Sequence, residues 1–431
     1  MFILINYMTS KIFYLFCIVF LSVILYGVKL SILPLDLYRI FYILSFVLFC
    51  FCFEKIIIYS QWGRVILICF IALFFSLLIS LYTKSNELVF IRMVLDYFLT
   101  FLFFIPVVFL VIKKYNVDFL LLLIHVVFFQ SIVMFVMVAF PSFQKLILNL
   151  IDTSGIERTE GVFRFRGVGL TGLATYSMAV TQSFGLFLFH YYWKRNLRKV
   201  EFLKSTFMFV AILLSSILSA RTSFLFIVAL LLCYFIIYVF STDSGFKKKL
   251  SFVFYFMVLS VFLLLLLLGS IDSPVITKML AWSGEFFISL FSSGNVSTDS
   301  TDALKGLFFI PKENTILFGD GQYLSSLGEY YMSTDVGYLR VVLYGGIIGS
   351  LSFYAIFIYL FYILMINSYR IYGLLFTIPL FFYSLCVFVV NFKGSIFFDG
   401  FIAFKLVALV AYGFSVLSQR TTLVNESGIL K

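Results

Sequence analysis

The sequence predicts an all-α, polytopic integral membrane protein. Of its 431 residues, 63% are hydrophobic and only 12% are charged, whereas soluble domains carry about 25% charged residues. Several apolar runs reach roughly 20 residues, the length that an α-helix needs to cross a hydrocarbon core about 30 Å thick. These runs lack the period-two alternation of membrane β-barrel strands, so helices are the expected spanning elements.

Twelve apolar segments are predicted to span the membrane. They cover approximately residues 12–28, 37–58, 65–82, 94–112, 118–140, 171–192, 205–219, 223–240, 250–270, 337–364, 371–390 and 397–417. Alternate connections hold 16 Lys/Arg and 5 Asp/Glu, which accounts for the whole net charge of +11. The positive-inside rule makes these connections cytoplasmic and places both termini inside. A basic face against anionic lipid explains the charge, so nucleic acid is not an expected partner.

The cysteines and the acidic residues give no sign of a metal or cofactor. All six cysteines lie in apolar segments, which indicates neither a disulfide framework nor a thiolate metal site. The acidic residues are spread along the chain without the spacing of a metal-binding cluster. No cleavage motif follows the first apolar run, so this run is expected to stay as the first helix. Without internal repeats or linkers, residues 1–431 are predicted to form one domain.

Two predicted external connections are long, residues 141–170 and residues 271–336. Long connections inside a compact protein are usually functional. Each carries apolar residues at helical spacing: Phe143, Leu146, Ile147, Leu150 and Ile151 in the first, and Val275, Met279, Trp282, Phe286 and Leu290 in the second. We expect short helices here, either lying on the outer leaflet or packing against the transmembrane helices.

The end of the first long loop carries a candidate anion site. Arg164 and Arg166 stand at alternate positions and are followed by Gly167 and Gly169. Arginines bind phosphate groups through paired hydrogen bonds, and glycines let backbone amides approach a ligand closely. The segment therefore suits a diphosphate. A second interpretation is that the arginines anchor the loop at the lipid boundary or pair with its acidic residues.

Arg221 lies in a very short predicted turn, Ser219-Ala220-Arg221-Thr222-Ser223, between two apolar segments. The turn places this charge close to the outer boundary of the bilayer. A charge drawn toward the helix centre costs about 2.5–3.5 kcal/mol, so it is usually retained for a function. Outward extension of the side chain is the alternative explanation. We favour a functional role because the turn has no acidic neighbour for Arg221.

The second long loop enters the tenth span through a polar junction, which we take as the centre of the molecule. It runs from Leu317 to Gly349 and contains Gly319-Asp320-Gly321, then Asp335 and Arg340 five residues apart. These two residues lie on either side of the predicted boundary between water and lipid. An enzyme acting on the polar headgroup of a membrane-held substrate needs its polar groups at this depth.

Asp335 is the best-placed candidate for a general base. His125 and His190 fall in the predicted cytoplasmic portions of their spans, which excludes them as bases on the external face. A carboxylate must then take that role, and Asp335 lies at the loop-to-helix junction. The alternative is that Asp335 caps the tenth span or pairs with Arg340.

At these residues the sequence resembles the O-antigen polymerase family, which is related to the O-antigen ligases. The predicted arrangement of spans and loops resembles that of the family over most of the chain. The sequence motifs resemble those of the family in three segments only. These are Arg164 to Gly172, Ser219 to Ser223, and Leu317 to Gly349 with its Asp-Val-Gly-Tyr-Leu and later glycines. The ligases typically carry a histidine where this sequence has Asp335, which favours the polymerase branch.

The resemblance implies a metal-independent glycosyltransferase of the bacterial inner membrane, with its active site facing the periplasm. Its substrates would be polyprenyl diphosphate-linked oligosaccharides, as donor and as acceptor, and a chain-length regulator would be a possible partner. Arg164, Arg166, Arg221 and Arg340, with Gly167 and Gly169, would bind diphosphate, and Asp335 and Arg221 would be catalytic. A lipid-linked oligosaccharide flippase and an O-antigen ligase are the alternatives. The 66-residue external loop and the nearly charge-free span interiors weigh against a flippase.

Overall fold

A computed structural model describes residues 2–31, 37–52, 54, 60–115, 117–151, 168–171, 176–195, 197–269, 306–399 and 401–426. Helices account for most of these residues, and their β contacts are two isolated bridges. The helices are α1 Phe2–Leu25, α2 Leu37–Phe51, α3 Ser60–Thr83, α4 Val89–Leu99, α5 Ile105–Lys114, α6 Phe119–Ala139, α7 Pro141–Leu150, α8 Tyr176–Trp193, α9 Lys199–Ser219, α10 Ser223–Phe240, α11 Ser244–Gly269, α12 Glu313–Phe318, α13 Gly337–Tyr372, α14 Leu374–Val390 and α15 Phe401–Glu426.

The helical character predicted from the sequence is confirmed for the described residues. Each of the twelve predicted spans coincides largely with a helix. Six helices in this part of the chain are long and apolar enough to cross a membrane: Ser60–Thr83, Val89–Lys114, Phe119–Ala139, Lys199–Ser219, Ser223–Phe240 and Gly337–Tyr372. The full number of spans and their orientation remain predictions.

The first external loop contains the short helix that its apolar spacing predicts. Helix α7 begins with Pro141 at its first turn, a position where proline's missing N–H costs nothing. Leu148 joins Met137 and Val168 in a buried cluster, against which Phe143 and Ile147 pack. These contacts favour the interpretation in which α7 packs against the protein. The second apolar stripe, from Val275 to Leu290, lies outside the described residues.

The chain divides into two compact units. The first comprises Met1–Phe41 and Ile112–Ile288, and the second comprises Tyr42–Val111 and Ser289–Lys431. Both units therefore combine distant parts of the sequence. The prediction of a single domain stays a prediction.

The first unit is held together around α6 by polar contacts between helices. The hydroxyl of Tyr14 on α1 lies 2.7 Å from Nδ1 of His125 on α6. The hydroxyl groups of Ser131 and Ser215 are 2.8 Å apart and join α6 to α9. Such interhelical hydrogen bonds are typical of helices packed in a membrane. His125 thus takes part in a hydrogen bond between two helices.

The second unit contains a π-helical segment, Thr100–Phe104, between α4 and α5. A π turn shifts the backbone pairing and leaves a carbonyl open to other donors. Here Nε1 of the fully buried Trp62 donates to the carbonyl oxygen of Phe101 over 2.9 Å. Thr100 donates to the hydroxyl of Tyr42 over 2.8 Å. Side chains from α2 and α3 therefore stabilise the irregular segment.

Helix α13 is interrupted at Gly346. Its 36 residues would extend for about 54 Å as one straight helix, far more than a hydrocarbon core of about 30 Å. Gly346 has φ 62° and ψ −172°, a conformation that is essentially restricted to glycine. A Cβ atom at this position would overlap with the carbonyl group of Leu317. The helix thus consists of a short first part, residues 337–345, and a longer second part.

The loop containing Gly319-Asp320-Gly321 pairs with the backbone at this break. The amide of Asp320 donates to the carbonyl oxygen of Leu343 over 2.7 Å, and the amide of Gly321 donates to that of Tyr344 over 3.0 Å. These acceptors precede the break and would otherwise lack helical donors. Gly319 has φ 75°, and a Cβ atom there would overlap with the carbonyl of Tyr344. The two glycine motifs found in the sequence therefore fit each other, and we call this contact the backbone lock.

Replacement of Gly346 by alanine is expected to destabilise the protein. The backbone conformation alone costs a side-chain-bearing residue about 1–3 kcal/mol, and the overlap with Leu317 adds to that cost. Gly306→Ala is the matched control, because nothing lies within 4 Å of a Cβ atom at Gly306. Thermal unfolding in detergent should show a lower midpoint for Gly346→Ala and a change near zero for Gly306→Ala. Equal midpoints for the two variants would contradict the assigned role of the break.

Candidate functional site

Arg340 is the most deeply buried charge at the predicted junction. It lies on the short first part of α13, and only 2% of its surface is exposed. Its guanidinium carbon lies 3.9 Å from the centre of the Tyr323 ring and 3.7 Å from that of the Tyr330 ring. Nη1 forms an ion pair with Oδ2 of Asp399. Two aromatic rings and one carboxylate therefore surround the cation, which compensates for lost hydration.

Asn391 brings Asp399 to this position. Helix α14 ends in a turn at Asn391, whose carbonyl oxygen accepts the amide of Gly337 over 3.1 Å. Its side-chain oxygen accepts the amide of Ile396 over 3.0 Å. The first residue of α13 and the irregular segment 391–399 are thus fixed to each other. Arg340, one turn along α13, then faces the carboxylate of Asp399.

Tyr323 connects the groups of the site. Its hydroxyl donates to Oδ1 of Asp399 over 3.0 Å and lies 2.7 Å from the hydroxyl of Ser395. Its backbone amide donates to Oε2 of Glu87, and the same oxygen accepts the amide of Leu324 over 3.1 Å. Glu87 thereby attaches the loop to the connection between α3 and α4. We call the set Glu87, Tyr323, Tyr330, Arg340 and Asp399 the Arg340 cluster.

A group of aromatic rings around Phe90 packs against the Arg340 cluster. The ring of Phe90, which is fully buried on α4, lies 5.2 Å from the ring of Tyr323, 4.2 Å from that of Tyr344 and 4.7 Å from that of Phe398, measured between centroids. Aromatic pairs at such distances contribute about 0.5–1.5 kcal/mol each beyond the burial of their area. The contacts of Phe90 hold the ring of Tyr323 in place. They also hold Phe398, the residue before Asp399.

Several polar atoms of the cluster lack partners among the described residues. Nε and Nη2 of Arg340 are buried donors without an acceptor, and Oε1 of Glu87 is a buried acceptor without a donor. A buried polar atom left unpaired costs about 1–3 kcal/mol. The cluster also opens toward the surface, since 31% of the Asp399 side chain is exposed. Unpaired donors and an unpaired acceptor at an open polar cluster are what a binding site for a polar ligand provides.

The carboxyl groups of the cluster hold protons more tightly than carboxyls in water. Loss of hydration raises the pKa of Glu87, although the backbone amides of Tyr323, Leu324 and Phe90 and the charge of Arg340 lower it. Loss of hydration also raises the pKa of Asp399, while Arg340 and the Tyr323 hydroxyl lower it. The charge of Asp335 acts on Asp399 in the raising direction. Such raised values suit groups that exchange protons with a ligand.

Asp335 is exposed and lies at the edge of the cluster. The residue at the N-cap of α13 is Val336, and no side chain caps this helix. The amide of Val336 donates to the hydroxyl of Thr334 over 3.3 Å. The recorded ion pair of Arg340 is with Asp399. Neither structural alternative considered for Asp335, a helix cap or a pair with Arg340, is therefore found in the described residues.

The other predicted site residues belong to the first unit or are not described. Arg221 lies, half-buried, in the short turn between α9 and α10 that the sequence predicts. Gly169 packs so closely against Gln130 that a Cβ atom would overlap with its amide, and Gln130 accepts the amide of Leu170 over 3.2 Å. Close packing thus explains Gly169 without a ligand. Arg164, Arg166 and Gly167 lie outside the described residues.

Sequence reasoning missed Glu87, Tyr323 and Asp399. Glu87 stands 236 positions before the amide that it accepts, and Asp399 stands 59 positions after Arg340. No local spacing connects these residues. The available signal was that Glu87 lies in a predicted external connection and Asp399 at the predicted outer end of the last span. Comparisons with family models, with curated protein sequences and with solved structures gave no match.

Removal of the Glu87 carboxylate is expected to loosen the loop at Tyr323. Glu87→Ala leaves the amides of Tyr323 and Leu324 without their acceptor, so both should exchange hydrogen faster. The control is Glu329→Ala, which removes an exposed carboxylate from the same loop. Hydrogen exchange with mass spectrometry should show a roughly tenfold faster uptake for the peptide containing residues 323 and 324 in Glu87→Ala, as expected for a lost bond of about 1.4 kcal/mol. Unchanged exchange would show that the carboxylate does not hold the loop.

Proposed function

We propose that this protein is an O-antigen polymerase, a glycosyltransferase that joins polyprenyl diphosphate-linked oligosaccharide repeat units. The observation that supports this most is the Arg340 cluster, in which buried polar atoms that have no partner in the described part of the chain lie beside the exposed carboxylate of Asp335. Tyr323, Tyr330 and Arg340 of the cluster lie within the segment from Leu317 to Gly349, where the resemblance to the polymerases has its longest motif. A polar site at the ends of apolar helices suits a substrate whose lipid lies in the bilayer and whose glycan lies in water.

The proposed setting is the bacterial inner membrane, with twelve spans, both termini in the cytoplasm and the site facing the periplasm. The apolar helices support a membrane location, and the distribution of Lys and Arg supports the orientation. Lys393 and Asp335 then lie on the outer side together with the Arg340 cluster. The substrate on this side would be presented from the outer leaflet.

The proposed reaction transfers a glycan from diphosphate to a hydroxyl group. The acceptor hydroxyl oxygen attacks the anomeric carbon of the donor glycan, and the bond between that carbon and the diphosphate oxygen breaks. The diphosphate leaves with the bonding electrons, and the hydroxyl proton passes to Asp335 as the base. Arg164, Arg166 and Arg221 stabilise the charge on the leaving diphosphate, so the reaction is metal-independent.

The function is tested by a deletion strain, because the three related activities leave different products. Loss of a polymerase should leave surface lipopolysaccharide with a single repeat unit. Loss of a flippase would remove surface repeats altogether, and loss of a ligase would leave polymer on the lipid carrier. Electrophoresis of lipopolysaccharide together with analysis of carrier-linked glycan distinguishes these outcomes. The second or the third pattern would refute the proposed activity.

Arg221 is expected to be needed for polymerisation. Loss of one group that stabilises developing negative charge lowers a rate by about 10²–10³-fold, so Arg221→Ala should abolish the long ladder. Arg221→Lys should recover it only in part, because an ammonium group cannot form the paired bonds of a guanidinium. Arg92→Ala, which removes an exposed arginine, is the control, and immunoblots of membranes confirm equal amounts of protein. A normal ladder in Arg221→Ala would exclude the assigned role.

A further inference from the structure

The charges of the Arg340 cluster are a poor match for a diphosphate. One guanidinium is present, and the carboxyl groups of Asp399, Glu87 and Asp335 contact it or act on its surroundings. A diphosphate carries at least two negative charges and would approach more carboxylates than cations. Even with the carboxyls protonated, a single cation already paired with Asp399 leaves little net positive charge. The sequence-based assignment of Arg340 to diphosphate is therefore not favoured by its surroundings.

The cluster atoms that lack partners among the described residues suit a ligand that both donates and accepts hydrogen bonds. Nε and Nη2 of Arg340 need acceptors, whereas Oε1 of Glu87 needs a donor. An ionised phosphate group only accepts hydrogen bonds, so it would leave an ionised Glu87 carboxylate unsatisfied. A hydroxyl group has one donor and two acceptor sites and can satisfy both kinds of atom. Neighbouring hydroxyls on one ring would serve the guanidinium and the carboxylate together.

The aromatic groups at the cluster suit the apolar face of a sugar ring. Tyr330 is exposed by 43%, and its ring lies against the guanidinium of Arg340. The electron-rich face of an aromatic ring attracts the weakly positive C–H groups of a pyranose, as it attracts other positively polarised partners. The exposed ring of Tyr330 thus provides a stacking surface, and the buried groups of Arg340 and Glu87 beside it provide a polar surface.

We propose that the Arg340 cluster is a binding subsite for an uncharged, hydroxyl-bearing sugar residue, which Glu87 and Arg340 orient with Tyr330 stacked on it. The inference rests on the proposed function, within which this sugar is the acceptor terminus. Asp335 is exposed at the edge of the cluster and influences Asp399, so the bound acceptor hydroxyl lies on the side of the proposed base. Glu87 and Arg340 are then positioning residues, and the diphosphate is held by other arginines.

The test measures binding of two probes to the purified full-length protein in detergent. One probe is the glycan released by mild acid from the strain's own lipid-linked repeat unit, and the other is inorganic diphosphate. Calorimetry should show that the glycan binds and that diphosphate does not compete with it. Glu87→Gln keeps an acceptor for the loop amides but presents a donor to the ligand, and Tyr330→Ala removes the exposed ring. Each should weaken glycan binding by at least about tenfold, the effect of one lost hydrogen bond or ring contact.

Glu329→Gln is the matched control, since it changes an exposed carboxylate on the same loop and should leave glycan binding unaltered. Displacement of the glycan by diphosphate would refute the subsite. Wild-type glycan binding in both Glu87→Gln and Tyr330→Ala would also refute it. The same holds if neither probe binds, in which case water alone fills the cluster. Polymerisation assays on the same preparations separate the two proposals. Glycan binding without polymerisation would refute the function alone, and polymerisation with unaltered binding in both variants would refute the subsite alone.

Discussion

The structure of the second unit depends on the backbone lock between the loop at Gly319 and the break at Gly346. A helix interrupted within an apolar region exposes carbonyl groups, and each unpaired polar group there costs several kcal/mol. The amides of Asp320 and Gly321 pair with these carbonyls, so the interruption becomes tolerable. This pairing fixes the end of the first part of α13 next to the break, while Asn391 fixes its start, and Arg340 lies between these two points.

The Arg340 cluster follows from this arrangement. The lock holds the loop that carries Tyr323 and Tyr330, while Asn391 holds the start of α13 against the segment that carries Asp399. Removing an ion from water costs several kcal/mol even after relaxation, and cation–π contacts return about 2 kcal/mol with the buried ring of Tyr323 and about 0.5–1 kcal/mol with the partly exposed ring of Tyr330. A buried arginine that retains unpaired donors is therefore expensive for stability. Such a cost is typical of sites that are built for a ligand rather than for folding.

The sequence predicted the helices well because apolar runs carry their own signal. It also singled out the segment from Leu317 to Gly349 and named Arg340 and Asp335 there, and the role of this segment as the functional centre stays a prediction. It could not give the partner of Arg340, since Asp399 follows a different helix and Glu87 precedes another. The π-helical segment at Thr100 was also missed, because its stabilising contacts come from Trp62 and Tyr42. Apolar runs in the sequence predict helices. The Arg340 cluster depends instead on contacts between segments that are far apart in the sequence.

The backbone lock has a consequence for how the sequence can change during evolution. Its hydrogen bonds join main-chain groups, so almost any side chain at position 320 leaves them intact. Strict selection then acts on the three glycines at positions 319, 321 and 346, where a Cβ atom has no space. Most of the loop can diverge while the geometry around Arg340 persists. Proteins that share this backbone lock would be recognised by these three glycines and an interrupted helix sooner than by overall sequence identity.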